Sequence, residues 1–333
     1  MLLRIIKTAC LLALAILLAF SAWFSFELYR VPEGSATAIF SEVERGSQVS
    51  SIAQNLKENG VITKKWPFLL GYKLFYSNKS LKAGEYQFHL PLSSKEALNI
   101  LINGSVYLHP ITIPEGLTRK EISKYLDSMG FAPEDDFWQA SARTDWISSL
   151  DGKASDLEGY LFPETYHFPK GTSEEKLIEA MVSQFRKTFN SDWQNRAREL
   201  GMSIREVVIL ASLVEKETSV PEERTLVSAV FHNRLERGMK LDCDPTIIYA
   251  LKQEDRFSDR LRTKDLHLDS PYNTYFYPGL PPGPICNPGR ESIEAALYPA
   301  PEAYLYFVSK NDGSHHFSHT LREHLKAVQK YQK

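Results

Sequence analysis

Two acidic residues close a strongly apolar helical stretch in the middle of the chain. Ser203 and Glu206 form a capping-box pattern, and the apolar residues after them predict a buried helix that ends at Glu217. Glu215 continues the line of the buried face, whereas Glu217 points roughly 200° away at 3.6 residues per turn. A carboxyl group at the end of a buried helix can hold its proton near neutral pH and serve as a general acid. The alternative is that both are solvated residues of the last turn.

A second helix follows directly and completes a helical pair. Ser219 and Glu222, with Pro221 between them, occupy preferred positions for a helix start. The pattern predicts a helix that runs to Arg237 and stops at Gly238. This pair predicts the centre of a domain, around which the loops must be arranged.

Three loops carry aromatic, polar and acidic residues of the kind that bind sugars. Rings stack on pyranose faces and carboxylates bind hydroxyl groups, although such a loop can equally be a packed turn. Loops rich in proline and glycine of this length are commonly functional in a compact domain. The candidate glycan-binding residues are Glu158, Tyr160, Asp244, Asn273, Thr274 and Tyr275.

Composition excludes several classes of protein. The 333 residues suggest about two globular domains, and a net charge of -2 gives no indication of a nucleic-acid partner. The three cysteines form no disulfide framework or zinc-ribbon pattern, and only Cys243 and Cys286 could pair. His315 and His319 could bind zinc on a helix, but no glutamate lies between them and the segment resembles a polar turn. We therefore expect no metal.

The N-terminus predicts a membrane anchor. Basic residues precede an uncharged run from Thr8 to Phe26, which is nearly long enough to cross a hydrocarbon core of about 30 Å. Trp23 and Phe24 lie where an interfacial aromatic belt would be, and the basic N-terminal side predicts a cytoplasmic N-terminus with the rest exported. The alternative is a cleavable signal peptide with a site near Ala19. The predicted segments are a cytoplasmic tail (1–7), a transmembrane helix (8–26) and a linker (27–36).

A small subdomain is predicted next, over residues 37–105. Its order of strand, helix, helix and strand over residues 37–90 resembles a LysM module, a small glycan-binding fold. A helix capped by Ser93 and Glu96 follows. The sequence pattern of residues 44–60 also recurs 70 positions later, from Pro114 to Gly130. Both copies predict a strand that enters a glycine turn and is followed by a short helix.

The larger domain is predicted over residues 106–333, so that the whole chain is α+β. Its predicted strands and helices cover residues 108–113, 118–129, 134–150, 246–252, 292–298 and 303–309, with a final helix of mixed charge.

A set of motifs then carries a resemblance to a known family. The segments are EGYLFPET (158–165), ASLVEKET (211–218), NRL (233–235), DPT (244–246), YNTY (272–275), GLPPGPI (279–285) and YLYFV (304–308). Together, in this order, they resemble the YceG-like endolytic murein transglycosylases. The resemblance implies a protein of the bacterial inner membrane, with its catalytic domain in the periplasm. It also implies a lyase that cuts nascent peptidoglycan between N-acetylmuramic acid and N-acetylglucosamine, with Glu215 as the catalytic acid.

The chemistry that this resemblance implies needs one carboxyl group and no cofactor. Glu215 would protonate the leaving oxygen and then, as a carboxylate, take the proton from the muramic acid 6-hydroxyl, which closes a 1,6-anhydro ring. Because that nucleophile is intramolecular, a second carboxylate is not obligatory. A two-carboxylate muramidase stays open, since Glu158, Glu217 and Asp244 are spare acids. The other alternative is a non-catalytic glycan-binding scaffold, and peptidoglycan synthases are candidate partners.

Overall fold

The computed structural model describes residues 1–332, which divide into two compact units. The smaller unit contains Met1–His109 and His167–Lys170, and the larger unit contains Pro110–Tyr166 and the chain from Gly171 onward. The predicted boundary, between residues 105 and 106, lies close to the first of these divisions. Lys333, the last residue of the predicted larger domain, lies outside the described residues.

The smaller unit has the predicted strand, helix, helix, strand order. Its elements are α1 (Leu2–Tyr29), β1 (Thr37–Val43), α2 (Val49–Glu58), α3 (Lys65–Phe75), β2 (Gly84–Leu90) and α4 (Ser94–Asn103). β1 and β2 pair antiparallel, from Thr37 opposite Leu90 to Val43 opposite Gly84. The helices cover one face of this ribbon, where Tyr86 and Phe88 are fully buried.

α1 is long and apolar enough to cross a membrane, with a mean hydropathy of 2.3 over its most apolar window. The helix continues past the predicted end at Phe26 and stops at Tyr29. Leu28 is fully buried in the core of the smaller unit. The extended linker therefore begins after Tyr29 and not at residue 27, because packing of Leu28 keeps the last turn helical.

The larger unit is mostly helical. Its elements are α5 (Arg119–Ser128), α6 (Glu134–Ala140), α7 (Glu174–Thr188), α8 (Ser191–Glu199), α9 (Ile204–Glu217), α10 (Arg224–Glu236), α11 (Asp244–Gln253), α12 (Arg290–Leu297), β5 (Tyr306–Ser309), β6 (His315–Ser318) and α13 (Leu321–Tyr331). The short strands β3 (His109–Thr112) and β4 (Thr165–Phe168) pair with each other, as do β5 and β6. These elements give the α+β fold that the sequence predicts.

Two predicted elements of the larger unit need correction. The helix predicted over residues 134–150 ends at Ala140, because the Ser141 hydroxyl bonds back to the carbonyl of Trp138 and the chain turns. His315 and its neighbours form strand β6 rather than a turn or helix. His315 and His319 therefore lack the helical geometry of a zinc-binding pair. Among the described residues, no group of three or more His, Cys, Asp or Glu side chains is arranged to hold a metal ion.

α9 is the central helix of this unit. The predicted capping box is present, since the Ser203 hydroxyl accepts the Glu206 N–H and the Glu206 carboxylate accepts the Ser203 N–H. Every residue from Val207 to Val214 is buried. The helix packs against α8, α10, α11 and α12, and it continues for one turn beyond Val214, the last buried residue, to Glu217. Its last turn therefore delivers Glu215 and Glu217 from a fixed support.

Candidate active site

Glu215 lies at the end of α9, where two glycines approach it. Its Oε2 accepts the N–H of Gly289 at 3.0 Å. Gly289 is the residue before the first turn of α12. On the other side, a Cβ on Gly116 would lie 3.5 Å from the Glu215 Cγ, and Gly116 has a φ of +76° that favours glycine. Glu215 is half-buried, so the backbone fixes its carboxyl group while part of that group stays accessible.

Glu115 is the acidic neighbour of Glu215. A Cβ on Gly289 would lie 2.0 Å from the Glu115 carboxyl carbon, so both carboxyl groups meet the same glycine. Burial and the charge of Glu215 raise the pKa of Glu115, which the Arg224 guanidinium opposes from 3.9 Å. Arg224 is itself paired with Glu291. Glu115 thus lies between Glu215 and an ion-pair group made of the buried Arg224 and Glu291.

Glu115 was not among the residues predicted from the sequence. It lies in the Pro-Glu-Gly-Leu segment, which attracts notice only as part of the repeated strand, turn and helix. The signal that could have found it is the combination of an acid, a glycine turn and a following capping box at Thr118. This combination places the acid at a fixed point before a helix start, but its distance in sequence from Glu215 hides their proximity.

Glu158 lies behind the site, 5% exposed. Its carboxylate accepts the backbone N–H of Arg119 at 3.0 Å and the Asn287 Nδ2–H at 3.1 Å. Burial raises the pKa of Glu158 to about 8, although the hydrogen bond from Arg119 opposes this rise. At this exposure, the carboxyl group contacts its protein neighbours and offers little surface to a large sugar.

Asn287 connects Glu158 to the loops that surround Glu215. Its side chain donates to the carbonyl of Leu117 at 2.9 Å and accepts the N–H of Leu161 at 2.9 Å. Its carbonyl accepts the N–H of Gly116 at 2.9 Å. The network therefore holds the loops that present Gly116 and Gly289. We call Glu158 and Asn287, with these contacts, the loop clamp.

Tyr160 is also a buried residue. It is fully buried, its hydroxyl donates to Asp151 at 2.7 Å, and its ring packs edge-on against Phe185. The predicted aromatic loop is thus, at this residue, a packed turn. A cavity of about 380 Å³ does lie beside the loop. It is lined by residues that include Glu115, Phe162, Glu164, Gln184 and Arg290.

Glu217 faces a different cavity, as the helical spacing predicted. Burial raises the pKa of Glu217 to about 7, and a hydrogen bond with the Cys243 thiol partly opposes the rise. The cavity has a volume of about 470 Å³. Its lining includes Glu217, Arg234, Asp242, Asp244, Tyr275 and Tyr306.

The remaining predicted residues belong to this second cavity or support it. The Tyr275 hydroxyl donates to Asp244 at 2.7 Å, and both residues reach the cavity. Thr274 is buried and accepts the N–H of Cys243, while the fully buried Asn273 donates to the carbonyls of Leu266 and Leu268. The structure thus groups Asp244 and Tyr275 with Glu217, and not with Glu215.

The cysteines are free. Cys243 and Cys286 are both buried, and neither forms a disulfide. Cys243 contacts the Glu217 side of α9, whereas the Cys286 thiol lies 3.5 Å from the carbonyl of Ser212. They belong to different packing environments, so the pairing that the sequence left open is absent.

Comparison with known proteins finds the same family along most of the chain. Residues 41–330 match the model of the YceG-like family. An endolytic murein transglycosylase of Bacillus subtilis is 35% identical over 321 residues, covering 90% of this chain and 87% of that protein. An endolytic murein transglycosylase of Streptococcus pneumoniae is 29% identical over 313 residues, which cover 56% of its length.

A solved structure also matches. The crystal structure of a yceG-like protein from Listeria monocytogenes superposes with a TM-score of 0.60 at 33% identity, covering 87% of this chain and 98% of that one.

Proposed function

This chain belongs to the YceG-like family, and we propose that it is an endolytic murein transglycosylase with Glu215 as its catalytic acid and base. The observation that carries the assignment is the geometry of Glu215. It is an acid in the last turn of a helix that is buried from Val207 to Val214, held by the Gly289 N–H and left partly accessible. The names of the relatives supply the substrate class, peptidoglycan glycan strands.

The proposed reaction uses one carboxyl group twice. Protonated Glu215 gives its proton to the glycosidic oxygen between N-acetylmuramic acid and N-acetylglucosamine as that bond breaks. The Glu215 carboxylate then takes the proton of the muramic acid 6-hydroxyl, whose oxygen bonds to C1 of the same ring. The product carries a 1,6-anhydro end, and the enzyme regains its proton. Gly289 holds one carboxylate oxygen throughout, so orientation is maintained while the proton moves.

The loop clamp supports this proposal by fixing the backbone on both sides of Glu215. Gly116 approaches the Glu215 side chain closely, and a Cβ on Gly289 would collide with Glu115. Glu158 is in this view a positioning residue, and the proposal no longer requires it to bind glycan.

We further propose that α1 anchors the protein in the bacterial inner membrane, with the folded units on the periplasmic side. The support is its length, its apolar composition and the basic residues Arg4 and Lys7 at its N-terminal end. Peptidoglycan synthases, which build the strands, are the proposed partners in the same membrane.

A muramidase with two carboxylates is the second candidate, because Glu115 adjoins Glu215. Glu115 could activate a water molecule in place of the sugar hydroxyl. This differs from the spare acids considered from the sequence, since Glu158 is buried and Glu217 and Asp244 face the other cavity.

Mass spectrometry of glycan strands tests these assignments. Uncrosslinked strands are incubated with the full-length protein in detergent, and with the Glu215→Gln variant. Internal fragments that lack one water molecule, from the wild type alone, would support the transglycosylase. Fragments with ordinary reducing ends would favour the muramidase. If neither protein gives fragments but both bind strands, the protein is a glycan-binding scaffold.

A further inference from the structure

The end of α1 is built into the smaller unit. The Trp23 ring stacks on Trp66 of α3, with centroids 4.7 Å apart and an interplanar angle of 25°. One residue later, Phe24 stacks on Phe75, at the other end of α3, at 6.4 Å. A Cβ on Gly71, in the middle of α3, would lie 2.8 Å from a methyl carbon of Leu28. α3 therefore lies directly against the last turns of α1.

The C-terminal end of α3 exposes large apolar side chains. Leu74 is 58% exposed and Phe75 is 52% exposed. Trp66, Leu70 and Leu74 follow one another at intervals of four residues, which places them on one stripe of the helix. That stripe includes the ring that contacts Trp23. Large exposed apolar side chains that adjoin one another mark a surface that binds something.

The same segment has an unusual charge pattern. Between Val61 and Lys82 the sequence contains five lysines and no aspartate or glutamate. These lysines are Lys64, Lys65, Lys73, Lys79 and Lys82. Lysines beside exposed aromatic and leucine side chains are typical of helices that lie in a membrane interface, where the ammonium groups meet anionic headgroups.

We propose that α3 lies in the headgroup region of the bilayer that holds α1, with the exposed Lys73 and Lys79 against lipid phosphates. The proposal rests on the membrane anchor proposed above. A bilayer that covers the uncharged run from Thr8 to Phe26 includes Trp23. Because Trp66 is stacked on Trp23, the same bilayer surface reaches α3. Leu74 and Phe75 then enter the interface, and the smaller unit is fixed against the membrane instead of hanging from a flexible tether.

The ion pair at the junction fits this arrangement. Lys64, just before α3, lies 2.7 Å from Glu27, whose side chain is only 9% exposed. Glu27 is the first acid after the apolar run. Its charge is therefore compensated where the helix leaves the hydrocarbon region, and the pair joins α1 to α3 at that depth.

Site-directed spin labelling of the full-length chain in vesicles tests the proposal. Single cysteines replace Leu74, Phe20 in α1, and Ser51 on the exposed surface of α2, in a Cys10→Ala background. Cys243 and Cys286 are buried, which limits their labelling. The vesicles contain phosphatidylcholine with or without phosphatidylglycerol. Relaxation by oxygen, which concentrates in lipid, is compared with relaxation by a water-soluble nickel chelate.

We expect the label at position 74 to favour oxygen several-fold over the Ser51→Cys control, with the label at position 20 deeper still. Position 20 in lipid with position 74 in water would overturn the proposal while leaving the anchor intact. Position 20 in water would mean that the anchor itself fails. The label at position 74 could instead be in water in vesicles but shielded from both reagents in native membranes. That result would mean that a protein partner, and not lipid, covers this surface of α3.

The lysines are tested separately. The double variant Lys73→Glu and Lys79→Glu should move the label at position 74 towards water in vesicles with phosphatidylglycerol. It should have a much smaller effect in pure phosphatidylcholine. Circular dichroism checks that the variant keeps its helices. An unchanged depth in both lipids would exclude headgroup charge as the reason for the lysine pattern.

Discussion

The two faces at the end of α9 each carry a glutamate, and the two glutamates lie in different environments. Glu215 meets the Gly289 N–H and the charged cluster of Glu115 and Arg224. Glu217, two residues later, meets the Cys243 thiol and a cavity beside Asp244. One helix turn therefore supplies carboxyl groups to two separate sites, and the residues that surround each group determine what it can do.

The two faces differ in how the surrounding backbone is held as well as in their charged neighbours. On the Glu215 face, the loop clamp fixes two glycines that leave room for the carboxyl groups of Glu115 and Glu215. On the Glu217 face, burial dominates and raises the pKa of the acid to about 7. A perturbed pKa identifies a functional acid only as a probability, because structural burial perturbs pKa values too. The raised pKa of Glu217 does not by itself make it catalytic, and the contact with the Gly289 N–H is the reason that we propose Glu215.

The largest expected effect separates the two faces directly. The Glu215→Gln variant should cut glycan strands about 10²–10⁴-fold more slowly than the wild type, since general acid and base catalysis contributes this much. The matched Glu217→Gln variant should keep its rate within a few-fold, because it keeps the side-chain volume and faces the other cavity. The measurement is the initial rate of fragment release. A larger loss in Glu217→Gln than in Glu215→Gln would reverse the assignment of the two faces.

The loop clamp should contribute measurably to the free energy of unfolding. Glu158→Ala would leave the Arg119 N–H without its carboxylate acceptor and remove one partner of Asn287, which should lower the free energy of unfolding by about 3 kcal/mol. Glu158→Gln keeps an acceptor oxygen and should lower it much less. Denaturant unfolding of the full-length protein in detergent measures both. Equal losses in the two variants would mean that the clamp needs both carboxyl oxygens of Glu158 and that one acceptor oxygen does not suffice.

The same residue gives a dependence on pH. The folded-state pKa of Glu158, about 8, lies above its ordinary value, so the folded protein binds more protons than the unfolded chain between these values. Its contribution to stability is therefore present at low pH and lost as pH rises through about 8, by at most about 1.4 kcal/mol per pH unit. Unfolding at several pH values should show this slope in the wild type. The slope should be reduced but not abolished in Glu158→Gln, because the raised pKa of Glu217, about 7, contributes over the same range. An unchanged slope would assign it to a group other than Glu158.

Much of this arrangement could be predicted from local sequence. The capping box at Ser203 correctly predicted the start of α9, and the glycine stop at Gly238 the end of α10. The predicted cap at Ser219 is absent, since a 3-10 turn over Pro221–Glu223 precedes α10, which begins at Arg224. The repeated turn is also real, since Gly46 and Gly116 both have positive φ values and short helices follow both. These features depend on a few adjacent residues, and local backbone chemistry determines them.

The contacts between distant segments could not be predicted in this way. The two copies of the turn are alike locally, yet nothing lies within 4 Å of a Cβ on Gly46, whereas Gly116 adjoins Glu215. Glu115 thus gains its environment from tertiary packing that the repeat does not encode. The burial of Glu158 and Tyr160, and the grouping of Asp244 with Glu217, arise in the same way. Residue type indicated sugar chemistry, but it did not distinguish a cleft wall from its support.

The smallest expected effect tests whether the acids on the Glu215 face are coupled. The charge of Glu215 is one cause of the raised pKa of Glu115, after burial. Removing that charge in Glu215→Gln should therefore lower the pKa of Glu115, because its ionised form then meets less repulsion. NMR titration of glutamate carboxyl carbons, with Glu115→Gln to assign the signal, measures the change. Glu217→Gln should leave the pKa of Glu115 unchanged. An equal change in the pKa of Glu115 in both variants would mean that the two faces of α9 are not electrostatically separate. A change in Glu215→Gln alone would define Glu115 and Glu215 as one coupled unit.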